Sequence, residues 1–451
     1  MAVRQSPSGS ARDPGEPSCP ASTGSVGRSA GTVSPASAQA CPAEPTQERV
    51  VRVPSERLSA DRELDLVLFG ATGFTGGLTA EYLARNAPAD CRWALAGRNP
   101  AKLGHVRERL AAIDPEWAHL SLLHADVEDL ESLRRVAESA RVVVTTVGPY
   151  LAYGEPLVAA CAEAGTDYAD LAGESEFVDR MYVAHHRRAV ETGARIVHAC
   201  GFDSVPHDLG AFFTVQQLPE DVPIRMRGML RTNASFSGGT FHSAMNAFSR
   251  ARQTKIALVE RRRVEPRPEG RKVRTTARRP HRDRESGLWL VPLPTIDPLV
   301  ITRSAAALER YGPDFTYSHY AAARKLSSVM CGIAGVGALA AAAQVGPLRR
   351  QILRRVPQGE GPSGERRERS EFTMRFIAEG GGRSVTTEVS GGDPGYTETA
   401  KLLSESALSL AFDDNPLTSG QVTTAVAMGE SLLGRLTSAG MVFRIIPAPS
   451  T

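Results

Sequence analysis

The stretch DLVLFGATGFTGG, residues 65–77, is followed about twenty residues later by WALAGRN, residues 93–99. The apolar run Leu66–Phe69 reads as a buried strand. The segment through Leu78, Tyr82 and Leu83 reads as the helix after it. Between them lie Gly70, Gly73 and Gly76, the strand, glycine turn and helix in which a dinucleotide pyrophosphate rests on a helix N-terminus. Gly70 allows the tight turn, Gly73 lets phosphate approach the backbone, and Gly76 lets helix and strand pack closely. Residues Gly70, Ala71, Thr72, Gly73, Phe74, Thr75 and Gly76 are therefore the expected phosphate cradle.

The second segment selects among dinucleotides. A chain that prefers NAD ends its second strand in a carboxylate that holds the ribose 2′-hydroxyl. Here that place holds Gly97 and Arg98, with Lys102 one turn into the next helix. No carboxylate repels a 2′-phosphate. An Arg–phosphate contact is worth about 1.5–3 kcal/mol, so a preference for NADP of roughly ten- to hundredfold is expected. The alternative is a solvated turn arginine.

Strand and helix alternate after Asp65. The apolar strands are Leu66–Phe69, Trp93–Ala96, Leu120–Leu123 and Val142–Val147, with helices near 76–86, 100–112 and 129–139. This pattern predicts a parallel, doubly wound sheet of the Rossmann type in an α/β chain. Asp126, after the third strand, and Gly148–Pro149–Tyr150, after the fourth, lie at carboxyl ends and are expected to face the cofactor. A helix near 154–164, a strand Tyr168–Leu171, a helix near 175–192 and a strand Arg195–Ala199 continue the series. Beyond Leu218, Ile224–Leu230, Phe372–Ala378 and Ser384–Val389 alternate like half-buried antiparallel strands, so a second, α+β substrate domain is expected. The expected divisions are a disordered tail over 1–62, the NADP-binding domain over 63–203, the substrate domain over 204–395, and a C-terminal helical segment over 396–451 that packs back on the core.

Composition narrows the partners. The 451 residues carry 53 basic and 50 acidic side chains, a net charge of +3, which implies no general polyanion partner. Cys19, Cys41, Cys91, Cys161, Cys200 and Cys331 form no CxxC pair and no His/Cys spacing for zinc. Reduced thiols in the cytoplasm are the simplest reading, with no metal. The tail, rich in Ser, Pro, Ala and Gly, lacks the apolar run of a signal peptide. The arginine-rich stretch 261–284 has no interleaved aromatics, which argues for a solvated loop and against a nucleic-acid site. Residues 328–346 are nearly all small or apolar and are followed by Arg349, Arg350, Arg354 and Arg355. A helix packed inside the substrate domain is the favoured reading. A membrane-seeking helix with a basic flank is the alternative.

By Gly210 the chain has shown GATGFTG, AGRN, VGPY, DYADLAGE and CGFDSVPHDLG in that order, and GDPGYTETAKLL and VTTAVAMGESLLGRL follow later. Over roughly residues 63 to 445 it resembles the saccharopine dehydrogenase-like oxidoreductases, especially the branch of the trans-acting enoyl reductases. The resemblance implies NADP-dependent reduction of a carbon–carbon double bond in an acyl chain held by a polyketide synthase, and a place in lipid metabolism. That chemistry needs a donor for the carbonyl oxygen and a proton for the α-carbon. Tyr150, Asp203 and His207 are the catalytic candidates. Tyr150 competes with a packing role, His207 with a bond inside its own helix, Asp203 with a helix cap, and Glu174 with a role at its helix N-terminus. Two other functions remain open: a saccharopine-type dehydrogenase gripping an amino-acid-derived anion on Arg225, Arg227 and Arg231, and a non-catalytic NADP sensor at a lipid surface.

Overall fold

Strands buried on both faces form the first half of the chain. The computed structural model describes residues 61–234, 238–284, 286–355 and 361–447. The tail expected over 1–62 falls almost wholly outside them. In chain order come β1 (Leu64–Phe69), α1 (Phe74–Asn86), β2 (Trp93–Gly97), α2 (Pro100–Ala111), β3 (Ser121–His124), α3 (Leu130–Ser139), β4 (Ala140–Thr145), α4 (Tyr150–Tyr153), α5 (Glu155–Ala164), β5 (Asp167–Asp170), α6 (Ser175–Thr192) and β6 (Arg195–Val197). Then follow α7 (Val205–Val215), β7 (Ile224–Thr232), α8 (Gly238–Ser249), α9 (Ala251–Val264), β8 (Lys272–Thr275), β9 (His281–Arg282), β10 (Trp289–Pro292), α10 (Asp297–Ala307) and β11 (Asp314–Ala323). The remainder is α11 (Leu326–Gln344), α12 (Gly346–Arg355), α13 (Gly364–Glu368), β12 (Phe372–Gly380), β13 (Arg383–Gly391), α14 (Thr397–Phe412), β14 (Gly420–Val422), α15 (Thr424–Ala427), α16 (Gly429–Ser438) and β15 (Val442–Ile446).

The first sheet is parallel throughout, in the order β14-β6-β5-β4-β1-β2-β3. It is the expected doubly wound sheet. Leu66 and Leu68 point to the face covered by α1, α2 and α14, and Val67 and Phe69 to the face covered by α3, α5 and α6. With helices on both sides the central positions of β1, β2 and β4 are apolar on both faces, which explains their continuous apolar runs. Asn99 caps α2 by accepting from the Lys102 N–H at 3.0 Å, with Pro100 in the first turn.

The second sheet is mixed, in the order β15-β13-β12-β7-β11-β10-β9, with β8 paired to β11. The β7–β12–β13 strands pair antiparallel as their alternation predicts, whereas β11 runs parallel to both β7 and β8. Helix α7 joins the halves. Leu209 shares one core with Leu66 of the first sheet and Phe372 and Phe376 of the second. Gly210 lets α7 lie flush on that sheet, since a Cβ there would come within 2.3 Å of the Phe376 ring.

Two expectations change. Residues 261–284 are not a solvated loop: α9 runs to Val264 and β8 and β9 join the second sheet. Two of their arginines hold the fold together. Buried Arg261 meets Asp179 at 2.6 Å, and Arg271 donates to the carbonyls of Ala305 and Leu308 at 2.8 Å, closing the end of α10. The apolar helix α11 is not packed inside the second domain either. Among its residues only Val329 and Ala343 are buried, because little beyond α8 and α12 covers it.

Candidate cofactor and active site

The glycine turn has the shape its sequence demands. Gly70 sits at φ +99°, where a side chain would be strained, and a Cβ at Gly76 would come within 2.2 Å of the Gly70 carbonyl oxygen. Thr146, just past β4, donates its hydroxyl to that same oxygen at 3.1 Å and locks the turn to the sheet. Gly73 begins α1 without a side-chain cap. The N–H groups of Phe74, Thr75 and Gly76 have no acceptor among the described residues. Such a helix N-terminus suits a diphosphate. Thr72 and Gly73 are exposed along it, while Ala71 turns into the core. The Phe74 ring meets the Tyr396 ring edge-on at 4.9 Å, with the Arg367 guanidinium 5.6 Å from its centre. Tyr396 belongs to the C-terminal GDPGYTETAKLL, which therefore closes over the cradle. The motif was visible in the sequence, but its place beside the glycine turn was not.

Arg98 and Lys102 are exposed at the end of β2 and the start of α2, and neither has a carboxylate partner among the described residues. Their cations are free for a 2′-phosphate. Asp126 is half-buried after β3, where its N–H donates to Ser132 Oγ at 3.0 Å and its carboxylate accepts the Glu128 N–H at 3.2 Å. Gly148 is exposed after β4, and Pro149 leads into α4. The glycine cradle and the free Arg98 fit NADP.

The loops after β4, β5 and β6 supply the remaining groups. Tyr150 is buried, and its hydroxyl donates to the Thr145 carbonyl and accepts the Leu171 N–H, each at 3.1 Å. Burial, with Asp170 nearby, raises the phenol well above its ordinary value. Tyr150 thus ties two strand ends together. Asp170 forms the centre of a buried network, accepting from Tyr168 Oη at 2.9 Å and meeting His198 Nδ1 at 2.7 Å. It also accepts the N–H groups of Ala172 and Ala199, and Ala199 holds a left-handed φ of 59° that turns the chain over the end of β6.

Two carboxyls stand beyond this network. Glu174 is 3% exposed, accepts from Ser243 Oγ of α8 at 3.3 Å, and leaves Oε2 without a partner among the described residues. Burial pushes its carboxyl up to about 7, Asp170 and Asp203 add to this, and Ser243 and the Tyr150 backbone oppose it. Asp203 lies beside Gly173, where a Cβ would come within 3.2 Å of its Oδ1. Burial, then Asp297 and Asp170, push Asp203 up to about 7 as well, against the pull of His207. It is Ser204 that begins α7, and no side-chain capping bond forms there.

His207 is drawn away into a buried cluster. Its Nδ1 meets Asp297 Oδ1 at 2.9 Å, and His319 Nε2 lies 3.5 Å from Asp297 Oδ2. Possible metal-ligating atoms of the three lie within 4.8 Å of one another. Burial favours a neutral Asp297, but His207 and then His319 beside it hold its carboxyl below the usual range. Burial drops His319 to about 4, and Nδ1 shares a hydrogen bond with Tyr317 Oη at 2.9 Å. Neither Asp297 nor His319 stands in a motif that sequence reasoning could single out. Of the three arginines on β7, Arg227 pairs with Asp283 at 2.9 Å, and Arg225 and Arg231 are exposed. Cys91, Cys161 and Cys200 are buried with thiols raised by burial, Cys91 to about 12, so none is activated.

Residues 66–197 match the saccharopine dehydrogenase NADP binding domain family. Over 411 residues the chain is 40% identical to "Putative trans-acting enoyl reductase Rv2449c" of Mycobacterium tuberculosis, covering 84% of this chain and 97% of that one. It is 37% identical to the trans-acting enoyl reductase of Mycobacterium ulcerans, covering 85% and 98%. Saccharopine dehydrogenase (L-Glu forming) of Saccharomyces cerevisiae shares the fold, with a TM-score of 0.50 at 11% identity over 85% of this chain and all of that one. The chain is an NADP-binding oxidoreductase that belongs to the saccharopine dehydrogenase-like family and is homologous to its trans-acting enoyl reductase branch.

Proposed function

We propose that the protein reduces the double bond of an α,β-unsaturated acyl thioester, acting in trans on a chain carried by a separate synthase and so serving lipid metabolism. NADPH supplies the hydride when bound. The chain's own task is to hold the cofactor on Gly70–Gly76 and Arg98, and to deliver a proton to the α-carbon. One observation carries the reading: Glu174, buried with its Oε2 unpartnered among the described residues, and Asp203 lie in the loops that follow β5 and β6, where burial pushes both carboxyls up to about 7. A carboxylic acid still protonated near neutral pH is suited to general-acid catalysis. Strand carboxyl ends are also where this fold presents its ligands. We place Glu174 and Asp203 as the proton-holding pair, Tyr150 as the group that positions the Glu174 loop through Leu171, and His207 as a neighbour of Asp203 held by Asp297.

The homology to enoyl reductases supports the substrate class. A saccharopine-like substrate would need converging cations, and Arg227, the least exposed of the β7 arginines, is engaged by Asp283. NADPH oxidation, followed with a short 2-enoyl pantetheine thioester and with no substrate, and NADP+ reduction, followed with saccharopine, test this. Turnover with the thioester alone is expected. Turnover with saccharopine alone would overturn the proposal.

A further inference from the structure

We infer that the α11–α12 pair is a docking surface for an anionic lipid bilayer. Helix α11 has a mean hydropathy of 1.8, yet only 11% of that window is buried. Met330 is 59% exposed, Ile333 43% and Val336 49%, and Leu348 of α12 is 42% exposed. From Leu326 to Gly346 there is no charged residue. A contiguous apolar surface of this kind on a folded protein marks an interaction site.

The charges beside it choose the occupant. Arg324 and Lys325 precede α11, and Arg349, Arg350, Arg354 and Arg355 follow it on α12. None of the six has a carboxylate partner among the described residues, and residues 324–355 contain no Asp or Glu. A second copy using the same face would set these cations against their own kind, since a twofold interface pairs each patch with itself. Phosphate headgroups answer both features: they neutralise the cations while the acyl boundary takes up the apolar side chains.

The helix lies on the bilayer and does not cross it. Its 19 residues reach about 28 Å, barely the hydrocarbon thickness. Nine of them are Ala or Gly, which insert weakly. Its N-terminal end continues directly from β11 of the second sheet. Gln344 Nε2 donates to the Phe248 carbonyl at 2.7 Å and pins the end of α11 to α8. Helix α8 carries Ser243, the partner of Glu174, so the docking surface backs directly onto a wall of the site.

Co-sedimentation of the full chain with vesicles tests this without reference to turnover, so its outcome is independent of the enoyl substrate. The wild type is expected to pellet with phosphatidylglycerol–phosphatidylcholine vesicles, less so as salt rises, and to stay in solution with phosphatidylcholine alone. Ile333→Asp with Val336→Asp, and separately Arg350→Glu with Arg354→Glu, are each expected to weaken binding about tenfold or more. Leu417→Asp, at a site 80% exposed elsewhere, should bind as the wild type does. Retained NADPH affinity checks that each variant is folded. A wild type that ignores both vesicles overturns the proposal, as do variants that bind unchanged. So does a lipid-free dimer by light scattering that the Ile333/Val336 variant dissolves.

Discussion

Ser243 reaches across from α8 to donate a hydrogen bond to Glu174 at 3.3 Å. The bond favours the ionised carboxyl, whereas burial favours the neutral one. Ser243→Ala should therefore lift the Glu174 carboxyl further and move the alkaline limb of kcat to higher pH, with NADPH affinity unchanged. A pH profile of both proteins reads this directly. An alkaline limb that stays put would remove Glu174 from proton delivery.

Glu174→Gln and Asp203→Asn should each lower kcat by roughly 10²–10⁴-fold, with little change in the dissociation constant for NADPH. Tyr150→Phe is expected to behave differently. It leaves the Leu171 N–H without its acceptor, which costs about 1–3 kcal/mol of stability, while turnover falls far less than in the carboxyl variants. Thermal unfolding together with steady-state kinetics separates the two outcomes.

The Glu174 carboxyl also predicts how stability follows pH. Its folded value, about 7, lies above the unfolded carboxyl near 4.5, so the native state binds the extra proton between the two. Its contribution is fully present below about 4.5, is lost as pH rises through about 7, and is absent above. Glu174→Gln lacks this dependence. The wild type should lose stability relative to the variant from pH 5 to pH 8, by roughly 2–3 kcal/mol, measured by denaturant titration at each pH.

Arg98→Ala should weaken NADPH binding by about ten- to hundredfold and leave NADH binding nearly unchanged. The two dissociation constants, taken by fluorescence titration, decide it. A constant NADPH/NADH ratio would place the 2′-phosphate elsewhere.

Gly76→Ala places a methyl 2.2 Å from the Gly70 carbonyl oxygen and should abolish nucleotide binding by pushing α1 off the turn. Gly104→Ala is the matched control. It lies inside α2 with nothing within 4 Å of an added Cβ, and should raise stability by about 0.4–1 kcal/mol. Calorimetry with and without NADPH distinguishes the pair.

The nucleotide half was legible because its determinants are local. Leu66–Phe69 is apolar at every position because helices cover both faces, and Gly70, Gly73 and Gly76 act within one turn. The reacting end was less legible because its partners meet only through the fold. Ser243 finds Glu174, and Asp297 and His319 find His207, across sequence separations that no local pattern marks. In the second sheet, β11 alternates from Asp314 to His319, with Phe315, Tyr317 and His319 turned inward past Thr316 and Ser318, but the pattern is short and Tyr320–Ala323 do not continue it. Strand β8 was hidden among arginines whose charges are met by α10 carbonyls and by Asp314. Helix α11 misled in the other direction: apolar composition suggested burial, and the structure leaves it bare.

The pairing of β14 with β6 sets the order in which the chain can be completed. Gln421 lies beside Ile196, so the first sheet takes its last strand from the far end of the chain. At about 5–20 residues per second, synthesis leaves β6 waiting on the order of ten seconds or more for that neighbour. Throughout this interval the emerging nucleotide-binding half displays an unpaired strand edge to the cell. A ribosome that stalls or terminates before Gly420 releases a protein whose glycine turn is intact but whose sheet is still open at one side.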